Sequence, residues 1–470
     1  MRDHVRFHVN GQPRTVSGGD AFASLSDYLR GNCGLAGTKV VCAEGDCGAC
    51  TVLVGRPHSD SLKYVTVDSC IQFLYQLDGT HVVTVEGLAE GDTPHPVQQA
   101  MVSCHGSQCG YCTPGFVMAL AGWAEEGAAS DVRTTLTGNL CRCTGYVPIL
   151  EAAASLKRMP LPRLAERPNT AGLRNELTAW QSEPLQLTDG RRTFFAPTTL
   201  SDALAFKAAH PESVIVSGGT ELGVLRNKRG DDPTTLVSLK RIANLNGIDV
   251  DTGRRVTIGA NATWTEIERE VVPHLLAFGP IVRRFGSPQI RNVATLAGNI
   301  INGSPIADSL PLLMVLDAEV TLAGPKGVRR RPLNGFYTGY KKKDLAPDEI
   351  LTQVTFALPS PADRLRCYKV SRRTDLDIAT FGAAIRIRMT GDVIEQAAIA
   401  FSGVAATVVR LSKAEAFLIG KQFTEATFRE AGMIARSEVT PLSDVRGGKD
   451  YRGELAAIVL LKFFHEATAS

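Results

Sequence analysis

The chain has 470 residues, 44% of them hydrophobic and 21% charged, which allows several packed domains and argues against a disordered or membrane-embedded protein. Its 51 basic and 48 acidic residues leave a net charge of +3 that is small and dispersed, so neither nucleic acid nor an acidic surface is the expected partner. The opening MRDHVRFHVNGQ has no apolar core, and no apolar run reaches the length of a membrane span; a cytoplasmic location is expected.

In chain order, Val5, Phe7 and Val9 alternate, Asn10-Gly11 is a two-residue hairpin signal and Thr15-Val16 resumes the strand, which predicts a β-hairpin. AFASLSDYLRGN reads as a short amphipathic helix. Next comes Cys42-Ala-Glu-Gly-Asp-Cys47-Gly-Ala-Cys50, followed by strands in YVTVDSC, which ends in Cys70, and in HVVTVEGL. C-x4-C-x2-C with a distant fourth cysteine is the plant-type [2Fe–2S] spacing. Gly45 and Gly48 are expected to let the backbone wrap an inorganic cluster, with N–H groups aimed at the sulfurs. Hairpin, helix, cysteine loop and strands together predict a ferredoxin-type β-grasp domain ending near residue 86.

Four helical patterns follow: HPVQQAMVSC, then PGFVMALAGWAEEG with Pro114 in its first turn, then DVRTTLTG after a capping Ser130, then PILEAAASLKR. Cys109-Gly-Tyr-Cys112 precedes one of these helices and Cys141-Arg-Cys143 another. Helix-start N–H groups and the positive end of the helix dipole favour thiolates there. C-x2-C with C-x-C furnishes four ligands to zinc as readily as to a cluster, and spacing alone leaves both open. Ten of the 11 cysteines lie before residue 150, which in a cytosolic chain favours metal over disulfides. Cys33, Cys104 and Cys367 fall outside both spacings and are left unassigned as small apolar side chains.

LPRLAERPNTAGLRNELTAWQSEP has no clear period and several Pro, Asn and Gly breaks, so it reads as a linker with a little helix. TTLSDALAFKAAHP is a helix entered through Thr199 or Ser201, and SVIVSGG is a buried strand running into a glycine turn. In VSGGTELG, Gly218-Gly219 puts no side chain in the way of a phosphate and Thr220 adds a hydroxyl. A strand ending in Gly-Gly is weak evidence alone, but TLAGNIINGSPIADSLPLL supplies a second loop of small and amide residues suited to a dinucleotide. FGAAIRIRM and AAIAFSGVA are strands, and SKAEAFLIG and ELAAIVLLKFF helices, of a final subdomain. No G-x-G-x-x-G follows a strand, which argues against a separate Rossmann site.

GSQCGYCTPG and GNLCRCTGY resemble the second iron–sulfur motif of the molybdenum hydroxylases, the family of xanthine dehydrogenase, aldehyde oxidase and aerobic carbon monoxide dehydrogenase. VSGGTELG with TLAGNIINGSPIADSLPLL resembles that family's flavin domain. The resemblance implies a multidomain α+β chain: a ferredoxin-like β-grasp [2Fe–2S] domain (1–86), a four-helix [2Fe–2S] domain (87–160), a linker (161–190), an α+β FAD-binding domain (191–360) and a carboxy-terminal α/β flavoprotein subdomain (361–470). It assigns one [2Fe–2S] cluster to Cys42, Cys47, Cys50 and Cys70 and a second to Cys109, Cys112, Cys141 and Cys143. FAD contacts carried over from the family fall on Val216, Ser217, Gly218, Gly219, Thr220, Glu221, Leu222, Thr295, Gly298, Asn299 and Asp308, with Phe285, Leu351 and Lys369 added. Gln108 resembles a residue that touches the pterin, while Arg372 and Arg373 resemble a loop bordering the flavin and receive no role.

The same resemblance implies an electron conduit from a molybdopterin centre on a partner subunit, through both clusters to FAD and then NAD, with no catalytic residue on this chain. The partner would make a heterodimer, dimerised further to a heterotetramer. Clusters fused ahead of flavin, and Thr-Glu after Gly-Gly, point to the purine-oxidising branch of the family. The rival readings are a family member acting on another heterocycle or an aldehyde, and, from another class, a zinc or redox-sensing scaffold without catalysis.

Overall fold

A computed structural model describes residues 1–468. The chain packs as two compact units, one of residues 1–243 with 286–294 and one of residues 244–285 with the chain from 295 onward.

The first unit opens with the predicted hairpin: His4–Val9 pairs with Gln12–Ser17 across Asn10 and Gly11, whose φ of 50° and 79° are the left-handed pair that a tight hairpin turn requires. The sheet order is Gln12–Ser17, His4–Val9, His81–Val83, Thr51–His58, Ser61–Asp68. Thr51–His58 carries no alternation that a sequence reading could use, and the reason is burial on both faces. Val52 and Val54 join the core of this sheet, whereas Leu53 joins the core of the neighbouring helices. The predicted helix after the hairpin starts late, at Leu25–Gly31, because Ser24 caps it by accepting the Asp27 N–H at 3.2 Å.

Pro96–Ser103, Thr113–Glu125, Val132–Thr135 and Val147–Leu156 are the four predicted helices, and they share a core built on Phe116, Trp123, Ile149 and Leu156. The cap of the third is Asp131 instead of Ser130: the Asp131 carboxylate accepts the Arg133 N–H at 3.3 Å, while the Ser130 carbonyl is taken by the Trp123 indole N–H at 3.0 Å. The run expected as a linker also differs. It folds as a helix of 12 residues, Thr170–Gln181, with Leu177 buried and Trp180 stacked on His8 at 5.4 Å. Leu173, Leu177 and Trp180, at i, i+4 and i+7, pack on the core of the preceding helices, an apolar stripe that the Asn and Gly breaks obscured in the sequence. Leu185–Thr188 then begins a four-stranded sheet with Thr193–Ala196, Thr235–Ser238 and Val214–Val216, flanked by the helix Leu200–Ala209, which Thr199 caps as predicted.

His81 makes the ferredoxin-like sheet sensitive to acid. The Gly11 N–H donates to its Nε2 at 3.0 Å, so Nε2 is unprotonated and Nδ1–H donates to the Tyr64 hydroxyl oxygen at 2.7 Å. Burial then pushes its pKa down from 6.5 to about 4. The unfolded chain binds this proton below about pH 6.5 and the native one only below about 4, so stability is full above 6.5 and falls as pH drops through that window. The expected loss is about 3 kcal/mol. Urea unfolding between pH 7 and 4.5 checks it: His81→Gln should flatten the slope, and an unchanged slope would refute the assignment.

The second unit holds a five-stranded antiparallel sheet in the order Ile248–Val250, Arg255–Gly259, Ile350–Ala357, Glu319–Gly324, Gly327–Pro332. Its other large sheet has the order Asp363–Val370, Phe381–Thr390, Val393–Ser402, Val409–Arg410. Glu425–Glu438 and Lys449–Thr468 pack closely because Gly432 has no Cβ to meet the Ala457 backbone. Thr295 to Leu313, expected as a loop of small and amide residues, instead holds the short helix Leu296–Asn302 and the start of a second, Leu310–Val315. Leu296, Ile300, Leu310 and Leu313 are buried at helical spacing, and Gly303 with φ 61° ends the first helix. Among the described residues no helix is long and apolar enough to cross a membrane.

Candidate functional site: two cysteine loops and a glycine loop

The first cysteine loop is irregular backbone that ends where Thr51–His58 starts. Ala43, Gly45 and Gly48 have φ of 55°, 75° and 67°, and this left-handed alternation turns N–H groups inward. The Asp46 N–H points at the Cys42 sulfur at 3.4 Å. Cys42 lies within hydrogen-bonding reach of Cys47 and of Cys70, and Cys70 of Cys50 as well. These thiol contacts, then the loop N–H groups, hold the Cys42 pKa far below that of a free thiol. Cys50 and Cys70 are buried under Ile71, with Val40, Val224 and Ile290 packed over them, so water is kept from this side. The glycines serve the protein first. A Cβ on Gly45 would lie 2.6 Å from Ile71 Cδ1, and one on Gly48 would strike the Gly138 carbonyl.

The second set is more open. Cys109 and Cys143 are exposed with their sulfurs 3.6 Å apart, and Cys112 is in reach of Cys141. Cys112 sits at the N-cap of Thr113–Glu125 and is pushed up to about 12 by burial and by Cys141. The Thr144 N–H donates to the Cys141 sulfur at 3.4 Å. Val102, Tyr111, Leu140 and Val147 are exposed apolar residues on the segments that carry these thiols. In the first set the contacts run from Cys47 through Cys42 and Cys70 to Cys50, and in the second they join Cys109 to Cys143 and Cys112 to Cys141.

The two cysteine loops touch. The Leu140 N–H donates to the Cys47 carbonyl at 3.0 Å, and Asn139 Nδ2 donates to the Gly48 carbonyl at 3.0 Å. Gln289 joins them, its Nε2 donating to Thr51 Oγ1 at 3.1 Å and Asn139 Oδ1 at 2.9 Å. A covalent and hydrogen-bonded path of one residue therefore runs from Cys141 through Leu140 to Cys47.

Sequence reasoning missed Thr51, Asn139 and Gln289 as a set, because their contacts span distant parts of the chain. It also missed Asp68, whose buried Oδ1 accepts from the Cys50 thiol at 3.6 Å. Its pKa is pushed up to about 7 by burial and by the Cys42 thiolate, and its Oδ2 is buried without a partner. The one available signal was its place two residues before Cys70.

In the same unit the glycine loop lies where strand Val214–Val216 hands over to helix Thr220–Arg229. Val216 is buried, Ser217 and Gly218 make the turn, Gly219 is the left-handed N-cap at φ 73°, and Thr220, Glu221 and Leu222 form the first helical turn. Gly218 is small because a Cβ would strike the Val293 carbonyl, and a Cβ on Gly219 would lie 2.6 Å from Gln76 Nε2. These packing contacts are by themselves a reason for both glycines.

In the second unit Thr295 caps Leu296–Asn302 by accepting the Gly298 N–H at 3.1 Å, and Asn299 Oδ1 accepts the Ser309 hydroxyl at 2.6 Å. Asp308 pairs with Lys369 Nζ at 2.7 Å, and burial raises the Asp308 pKa despite that cation. Lys369 also donates to the Arg284 carbonyl at 2.8 Å. Phe285 stacks on Trp264 with ring centroids 3.8 Å apart. Leu351 is buried in Ile350–Ala357 opposite Leu322.

Four domain models match in succession: a 2Fe-2S iron-sulfur cluster binding domain over residues 7–71, a [2Fe-2S] binding domain over 84–154, the FAD binding domain in molybdopterin dehydrogenase over 188–360, and the CO dehydrogenase flavoprotein C-terminal domain over 366–467. Xanthine dehydrogenase of Emericella nidulans is 31% identical over 99% of this chain and 38% of its own length. Aldehyde oxidase 3 of Rattus norvegicus is 31% identical over 98% of the chain and 39% of its own. The chain thus spans less than two-fifths of these relatives. A solved chain of carbon monoxide dehydrogenase from Hydrogenophaga pseudoflava superimposes with a TM-score of 0.57 at 29% identity, covering 59% of this chain and 98% of that one. With two iron–sulfur domains, an FAD domain and its C-terminal companion in this order, the chain belongs to the molybdenum hydroxylase family.

Proposed function

We propose that the chain is the iron–sulfur and flavin subunit of a xanthine dehydrogenase, handing electrons from a molybdopterin centre on a partner to NAD while purines are hydroxylated there. The observation that carries the relay is the Leu140 N–H to Cys47 carbonyl bond at 3.0 Å, which joins the two cysteine sets. The purine assignment is supported by the likeness to xanthine dehydrogenases. The equal identity of an aldehyde oxidase favours, as a second reading, the same role for an aldehyde or another heterocycle.

In this proposal Cys42, Cys47, Cys50 and Cys70 hold one [2Fe–2S] cluster and Cys109, Cys112, Cys141 and Cys143 the other. The donor sets fit: each is four thiols with inward N–H groups, which offset thiolate charge. For FAD, the first unit offers Val216 to Leu222, where the N–H groups of a helix start and the Thr220 hydroxyl suit a diphosphate. The second unit offers Phe285, Thr295, Gly298, Asn299, Asp308, Leu351 and Lys369, among them the buried Asp308–Lys369 pair and the Thr295 cap of Leu296–Asn302. When bound, the clusters carry single electrons and the flavin exchanges them with a two-electron acceptor. The protein's own part is to bind and orient: buried Cys50 and Cys70 with Ile71 keep water from one set, while exposed Cys109 and Cys143 leave the other open to a redox partner. The apolar residues Val102, Tyr111, Leu140 and Val147 on those segments suit a protein surface docking there.

The purified chain should absorb visible light and, once reduced, show two distinct [2Fe–2S] electron spin resonance signals. It should oxidise NADH with a dye acceptor and turn over xanthine only after the molybdopterin subunit is added. Zinc in place of iron would refute the cluster reading. Aldehyde turnover without xanthine turnover in the complex would select the second reading.

A further inference from the structure

Asn227 lies near the C-terminal end of helix Thr220–Arg229, outside every motif of the cysteine loops. Its side-chain Nδ2 donates to two carbonyls at once, that of Ala43 at 3.0 Å and that of Cys70 at 2.8 Å. Ala43 directly follows Cys42 and has a left-handed φ of 55°. The orientation of its peptide decides where the next N–H groups point, and one of them, from Asp46, meets the Cys42 sulfur at 3.4 Å. A single amide from the FAD-binding region therefore clips together the two separate chain segments that bring Cys42 and Cys70 to the first cysteine set.

The helix that carries this amide is held firmly over the same loop. Gly223 has no Cβ to collide with Ile71, whose own Cβ would be 2.6 Å away. Val224 packs on the core of Cys50, Cys70 and Ile71, and Lys228 Nζ stands 3.6 Å from Glu44. Two successive turns of one helix, at Gly223-Val224 and at Asn227-Lys228, thus grip the segments on either side of the thiols, and the Asn227 side chain is the grip that uses directional bonds.

We propose that Asn227 is a positioning residue for the cluster held by Cys42, Cys47, Cys50 and Cys70, supplied from the flavin-binding domain; this rests on those four cysteines being the ligands. Outer-shell partners of this kind orient ligands and control how tightly the metal is kept. The test uses the full chain with Asn227→Leu, which keeps the branched shape without donors, and Asn227→Ala, which cannot crowd the loop. The expected result in both is an altered line shape for one [2Fe–2S] spin resonance signal and about tenfold faster loss of that cluster's iron to a chelator. The second signal, flavin content and thermal midpoint should match the unsubstituted chain. Unchanged line shape and iron loss would overturn the proposal, as would loss of both clusters and flavin in step, which marks general destabilisation. If the unsubstituted chain itself showed no [2Fe–2S] signal, the ligand reading would fail first, and this proposal with it.

Discussion

Cys143→Ser is expected to erase one of the two [2Fe–2S] signals and leave the other intact. Cys143 is exposed and 3.6 Å from Cys109, so water would enter once the thiolate is gone, and the neighbouring sulfurs could not close the gap. The other set keeps its buried members, Cys50 and Cys70, and its covering of Val40, Val224 and Ile290. With the proposed molybdopterin subunit present, substrate-driven NAD reduction should fall about 100-fold or more, while NADH oxidation by a dye stays near its original rate. Iron analysis, spin resonance and the two assays check this together. Parallel loss of both activities would show that electrons do not enter through this set.

The second large effect is on stability. Asp78 is buried between the guanidinium groups of Arg2 and Arg241; its carboxylate also accepts an Arg2 Nη2 hydrogen bond at 2.8 Å and the Arg6 N–H at 2.7 Å. The group fastens the start of the chain, because Arg2 exchanges backbone hydrogen bonds with the segment around Leu185. Asp78→Ala would leave the two buried cations with only the half-exposed Glu183, 3.4 Å from Arg2 Nε, a loss of about 3 kcal/mol. Asp78→Asn keeps an acceptor without the charge and should cost less. Urea unfolding measures both, and limited proteolysis should release the amino-terminal strand first in Asp78→Ala. A change below about 1 kcal/mol would mean that the cations find water or another partner.

What could be read from the sequence was local. The hairpin at Asn10-Gly11, the cap at Thr199 and the helix after Pro114 each depend on neighbours within a few residues, and the fold keeps all three. The cysteine spacings are local in the same sense: the first set reads as plant-type by spacing, whereas the second, equally suited to zinc by spacing, needed the resemblance of its flanks GSQCGYCTPG and GNLCRCTGY. Burial changes what a pattern means: Thr51–His58 is packed on both faces and shows no alternation, and the narrow stripe of Leu173, Leu177 and Trp180 on Thr170–Gln181 was hidden among Pro, Asn and Gly breaks. The helices within Thr295 to Leu313 hid behind small and amide residues that also suit loops. Tertiary structure alone decided the contacts between distant segments: Leu140 with Cys47, Gln289 with Thr51 and Asn139, Asn227 with Cys70, Asp68 with Cys50. It also decided why Gly218 is a glycine, since the Val293 carbonyl that would meet its Cβ is far along the chain. Side-chain amides and single carbonyls carry no periodic signal, so only the packed backbone determines which of them meet.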